Sequence, residues 1–117
     1  MIKETIFSKI INTPKNKKIL YQNKLVTVFE DKQPQALIHL LIVSNTIIHS
    51  LNEINKENNI ILLEMMEIAI KMAKKMNIDK SGYRIIINCK KNGGQEIPHL
   101  HIHLLGGEFL GPILHKK

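Results

Sequence analysis

Apolar residues along this chain repeat first at helical spacing, then in alternation, then in runs, and each pattern predicts an element. Ile6, Phe7, Ile10 and Ile11 recur every three or four positions behind Thr5, a good helix-capping residue, so Thr5–Ile11 reads as a short helix. The polar run 12–18, with Pro14, is a loop. Lys18–Gln22 and Leu25–Glu30 read as strands joined by a turn at Asn23-Lys24, and the stretch Asp31–Ala36, with Pro34, breaks the pattern. His39–Val43 is a continuous apolar strand opened by a histidine. Glu57–Met76 is the long helix, with Glu57, Glu64 and Glu67 early and Lys71, Lys74 and Lys75 late, as the helix dipole favours. Its apolar positions exceed one narrow stripe, which predicts cover on two sides, by its own sheet and by a partner subunit. Tyr83–Asn88 reads as a strand, Cys89–Pro98 as a glycine-containing loop, His99–Leu105 as a final strand and Glu108–Lys117 as a tail turning at Gly111-Pro112. Strands arrive in adjacent groups rather than in strict alternation with helices. That order predicts an α+β domain with a mostly antiparallel sheet. With no repeat and no linker, residues 1–117 are expected to form one domain.

The last predicted strand is unusual. His99, His101 and His103 alternate with Leu100, Ile102 and Leu104, and successive side chains of a strand point to opposite faces. Three imidazoles are thus expected on one face, neighbours about 7 Å apart at a rise of roughly 3.3 Å per residue. A buried strand face is normally Val or Ile, so this one reads as a site.

Composition narrows the options. Isoleucine (21), lysine (16) and asparagine (11) fill 48 of 117 positions, and arginine occurs once, at Arg84. The skew matches A/T-rich codons, so the net charge of +7 is read as a lysine-rich surface. The lysines are scattered, aromatic residues number five and no reader motif is present, which argues against a dedicated nucleic-acid interface. The single Cys89 excludes an internal disulfide and suits a reducing compartment. The N-terminal segment, interrupted by Lys3, Glu4 and Lys9, lacks a signal-peptide core, and Ile60–Ala73 is too broken by charge to span a bilayer. A soluble, cytoplasmic protein with no membrane partner is expected.

Three readings of the histidine face remain open on these grounds. It is a structural cluster; or a metal site, for which three histidines spread over about 13 Å on one strand fit poorly and a ligand such as His39 would have to be recruited; or a covalent catalytic site. In the third, His101 attacks an electrophilic centre while its neighbours hold the groups around it. An anionic phosphoryl centre is the natural target, since it requires several fixed N–H donors. Gly93-Gly94 in the preceding loop allows close backbone approach, and Asn88 and Gln95 offer amides.

Asn88, Gly93-Gly94-Gln95 and His99-Leu100-His101-Ile102-His103-Leu104-Leu105-Gly106-Gly107 resemble the motif of the histidine triad superfamily. Thr5-Ile6-Phe7-Ser8-Lys9-Ile10-Ile11, Phe29-Glu30-Asp31 and Pro34-Gln35-Ala36 with His39 resemble its Hint branch, the purine nucleoside phosphoramidases, and most of all the bacterial members. The resemblance implies a five-stranded antiparallel sheet with two helices, paired in a homodimer into a ten-stranded sheet. It implies hydrolysis of nucleoside 5′-phosphoramidates, and of acyl-nucleotides, through a nucleotidyl-histidine, without cofactor or metal. The alternative is a nucleotide-binding or scaffold module with little turnover. By the same resemblance His101 is the nucleophile, His103 a donor to the phosphoryl group, His99 a residue that orients the nucleophile and His39 a supporting histidine. Asp31 matches the ribose ligand, and Ile6, Phe7, Ile10 and Phe29 the purine slot; Asn88, Gly94, Gln95 and Glu96 fall at phosphate-side positions. Three positions depart from the common pattern: Glu96 replaces a serine, Pro98 an aromatic residue and Lys32 an apolar one.

Overall fold

The first helix begins where the sequence places its cap. In the computed structural model, which describes residues 3–115, Thr5 and Ser8 form a capping box. The Ser8 amide donates to Thr5 Oγ1 (3.0 Å) and the Thr5 amide to Ser8 Oγ (2.8 Å), which satisfies two backbone donors at the helix start. Helix α1 (Ile6–Ile11) follows. The chain then forms β1 (Ile19–Gln22), β2 (Val26–Glu30) and β3 (Ile38–Ser44), a 3₁₀ turn at Leu51–Glu53, α2 (Asn59–Lys75), β4 (Tyr83–Ile86) and β5 (His101–Gly106). The five strands make one antiparallel sheet in the order β1-β2-β3-β5-β4. The expected fold class is the one observed.

Strand periodicity sorts the core into two clusters. Val26 and Val28 of β2, Leu40 and Ile42 of β3, and Leu100, Ile102 and Leu104 at and before β5 face α2, where Met65, Ile68, Ala69, Met72 and Ala73 cover them. Phe29, Leu41 and Val43 face the other way and meet Phe7 and Ile11 of α1. The histidines belong to this second face.

Several boundaries differ from the sequence reading. The long helix starts at Asn59, two residues after Glu57, because the Asn55 side chain accepts from the Glu57 and Asn58 amides and holds this stretch in a turn. Its first turn therefore carries no acid, while Lys74 and Lys75 do occupy the last. Strand β4 stops at Ile86, short of Asn88, and the 3₁₀ turn was not anticipated. Strand β5 begins at His101, so His99 lies outside the ladder: its amide donates to the Ile97 carbonyl (2.8 Å) in a tight turn after Pro98. Residues 116 and 117 of the expected tail, and Met1 and Ile2, lie outside the described residues. The tail crosses β4 where Arg84 donates to the Gly111 and Pro112 carbonyls. Among the described residues no helix is long and apolar enough to cross a membrane.

Candidate active site

A cleft of about 810 Å³ opens over the second sheet face, between α1, the end of β2 and the loop before β5. It is lined by Ile6, Phe7 and Ile10 from α1, by Phe29 and Asp31 from β2 and its exit, by His39, His101 and His103 from the sheet, and by Asn88, Gly94 and Glu96. Lys32, the departure noted above, also lines it. Of the candidate residues, His99 and Gln95 are not in its wall. His99 is fully buried behind it. The Gln95 side chain donates to the His49 and Ile97 carbonyls and accepts from the Lys90 amide, so it pins the loop rather than facing the cleft. The Gly94 and Gln95 amides are likewise spent inside that loop, on the Lys91 and Lys90 carbonyls, and Asn88 Nδ2 donates to the Gly93 carbonyl. Gly93 is required here, since a Cβ would sit 2.4 Å from the Cys89 carbonyl oxygen.

The expected 7 Å between neighbouring imidazoles is shortened in the structure. The His101 and His103 rings meet edge to face with centroids 5.0 Å apart. Phe7 packs its ring on both His101 (5.0 Å) and His99 (5.8 Å), and against Phe29 (5.5 Å). The apolar slot and the histidines are thus one packed unit.

Backbone partners assign each ring's proton, because a carbonyl only accepts and an amide N–H only donates. His101 donates Nδ1–H to the His99 carbonyl (2.6 Å), which leaves the Nε2 lone pair free. His99 donates Nε2–H to the Ser44 carbonyl (2.6 Å), so its Nδ1 accepts the Thr5 hydroxyl proton (2.6 Å). The Gln35 amide donates to His39 Nδ1 (3.0 Å), which puts the His39 proton on Nε2. That proton is donated to His103 Nδ1 (2.9 Å), with Asp31 Oδ2 at 3.3 Å from the same nitrogen. The His103 proton is therefore on Nε2. Asp31 Oδ1 accepts from the Gln33 amide (2.8 Å), so one carboxylate oxygen already closes its own turn.

Burial sets the charge state of the rings. Desolvation pushes His39, His99 and His101 below the usual histidine range, against an opposing pull from Asp31 on His39 and His101. His103 is lowered to about 4, by burial first and then by repulsion from His101 and His39. All four are neutral at pH 7, the form in which an imidazole has a lone pair to attack with.

Asp31, His39 and His103 place three metal-ligand atoms within 4.8 Å of one another, so the metal reading has a concrete geometry. Its weak point is His39. A neutral imidazole bound to metal through Nε2 carries its proton on Nδ1 and needs an acceptor there, whereas His39 Nδ1 faces the Gln35 N–H. The donor set fits a hydrogen-bond chain better than a coordination sphere.

Sequence reasoning missed two contributors. Thr5 was legible as a helix cap but not as the partner of His99, 94 positions away. Gln35 acts through its backbone, for which side-chain chemistry gives no signal. Comparison with known proteins agrees with the fold. The chain is 46% identical over 117 residues to the purine nucleoside phosphoramidase of Escherichia coli strain K12, covering all of this chain and 98% of that protein. It is 56% identical over 110 residues to a HIT-like protein of Buchnera aphidicola subsp. Baizongia pistaciae, covering 94% and 98%. Among solved structures, a HIT family hydrolase from Clostridium thermocellum superposes with a TM-score of 0.88 at 38% identity, covering 97% of this chain and 100% of that one. The HIT domain family matches residues 12–110, and with the histidine cleft built on the same fold, the chain belongs to the HIT domain family.

Proposed function

We propose that the protein hydrolyses purine nucleoside 5′-phosphoramidates, and acyl-nucleotides, to the nucleoside monophosphate. The observation that carries this reading is the His101 clamp: with Nδ1–H fixed on the His99 carbonyl, the buried neutral ring keeps a lone pair on Nε2 at the cleft wall. The purine lies in the slot of Ile6, Phe7, Ile10 and Phe29, and Asp31 meets the ribose hydroxyls. His101 Nε2 attacks phosphorus, the P–N bond breaks and the amine departs with a proton taken from solvent. His103 Nε2–H donates to a phosphoryl oxygen as charge builds there. Water then attacks the nucleotidyl-histidine, returns a proton to solvent and restores neutral His101. The reading needs no cofactor.

Pairing of two copies fits the outer side of α2, where Ile60, Leu63 and Ile70 are exposed opposite the covered residues. A homodimer, with its sheets continuous, is part of the same proposal. Incubation with adenosine 5′-phosphoramidate and measurement of released AMP tests the activity. AMP binding without release would leave only a nucleotide-binding module.

A further inference from the structure

Helix α1 and the nucleophile are joined by a path of hydrogen bonds that the reaction as proposed does not use. At one end Thr5 is buried, 8% exposed, and its oxygen accepts the Ser8 amide while its proton goes to His99 Nδ1. The opposite edge of that ring is held by the Ser44 carbonyl at the end of β3. From His99 the path continues through its backbone carbonyl, which accepts the proton of His101.

His99 has particular need of these anchors. It precedes β5 and has no ladder partner; its amide bonds only two residues back, to Ile97, and the next contact with the sheet is the Leu100 carbonyl with the Ser44 amide. Its carbonyl is aimed at His101 only while the residue itself is held, and its side chain is gripped at both ring nitrogens. The Ser44 carbonyl can bond only a protonated Nε2, so a neutral His99 presents an acceptor at Nδ1. A hydroxyl is a suitable match, because it can accept the Ser8 amide and donate to His99 at once. Valine has the shape and neither capacity.

We propose that Thr5 is a positioning residue for the nucleophile: its hydroxyl fixes His99, and the His99 carbonyl in turn holds His101 with Nδ1 protonated and Nε2 free. The proposal rests on the reading of His101 as nucleophile.

Thr5→Val, Thr5→Ser and Ser8→Ala in the full chain test it. Ser8→Ala removes the other half of the capping box without touching the Thr5–His99 bond. With adenosine 5′-phosphoramidate, Thr5→Val is expected to lower kcat by about tenfold or more, equivalent to about 1.4 kcal/mol of barrier. The Kd for AMP should stay within about twofold, since the slot and ribose contacts are kept. Thr5→Ser should restore kcat, and Ser8→Ala should lower Tm while leaving kcat within about twofold. Nitrogen-15 spectra should show His101 as the Nδ1–H form in the wild type and Thr5→Ser, and as mixed forms in Thr5→Val. Equal kcat losses in Ser8→Ala and Thr5→Val, or wild-type kcat in Thr5→Val, would overturn the proposal. If the wild-type enzyme released no AMP, the functional reading alone would fail. The His101 spectrum of Thr5→Val would then decide: a changed ring form supports positioning, and an unchanged one refutes it.

Discussion

The two faces of the sheet are made by the same strands and serve opposite ends. Toward α2, β2, β3 and β5 present valine, leucine and isoleucine that are almost fully buried, and the helix closes over them. Toward α1, the alternate positions present Phe29, His39, Leu41, His101 and His103, and the cover is a helix of six residues that leaves a cleft. Period-2 geometry lets one strand supply both faces without compromise, because a change on one side need not move the other. The larger core lies on the first face, and the proposed chemistry falls on the second.

The sharpest test of that division is His101→Ala. Loss of the nucleophile is expected to lower kcat by about 10³-fold or more, with thermal unfolding and AMP binding little changed. Residual kcat above about a tenth of wild type, a barrier change under about 1.4 kcal/mol, would remove covalent catalysis from this face. Its opposite is Ile102→Ala, one residue along and fully buried against α2. A cavity there should cost about 2–5 kcal/mol of unfolding free energy, read by denaturant titration, while kcat of the folded fraction stays near wild type. If kcat fell with stability, the faces would not be independent.

Asp31→Ala probes the rim of the chemical face. A carboxylate that accepts from two ribose hydroxyls contributes roughly 1.5–3 kcal/mol per bond, so KM should rise far more for ribonucleotide substrates than for 2′,3′-dideoxy analogues. Equal rises on both, with a lower Tm, would mean that Asp31 serves only its turn with Gln33.

Acid gives the smallest effect per step. The folded-state values of His39, His99, His101 and His103 lie below the unfolded one of 6.5. As pH falls through 6.5 the unfolded chain therefore takes up protons first, and stability drops. Each histidine contributes up to about 1.4 kcal/mol per pH unit, and for His103 the loss ends near the folded value of about 4. Urea midpoints measured from pH 7 to 4 should decline over that window. The acid limb of kcat/KM should fall at a midpoint below 6.5, and a midpoint above it would contradict the lowered value of His101.

Much of this division was legible in the sequence, because alternation carries it. Leu100, Ile102 and Leu104 against the histidines reveal two faces of the last strand from spacing alone. What stayed hidden depends on backbone groups. Gln95 offers an amide on paper, yet three backbone partners claim it. His99 counts as a strand residue by spacing, yet the turn after Pro98 keeps it out of the ladder. The start of α2 moved because Asn55 satisfied nearby amides locally, a competition that apolar periodicity does not register.

The chain from Gln35 through His39 to His103 has one closed end. A backbone amide does not give up its proton at neutral pH, so the sequence Gln35 N–H, His39, His103 can aim a hydrogen bond but cannot pass a proton through to a departing group. In the proposed reaction that makes the leaving atom responsible for its own protonation. An amine nitrogen is basic enough to collect a proton from water, and a carboxylate needs none. An alkoxide needs one, and this chain does not supply it. The discrimination against ordinary phosphate esters would thus reside in the direction of a hydrogen bond.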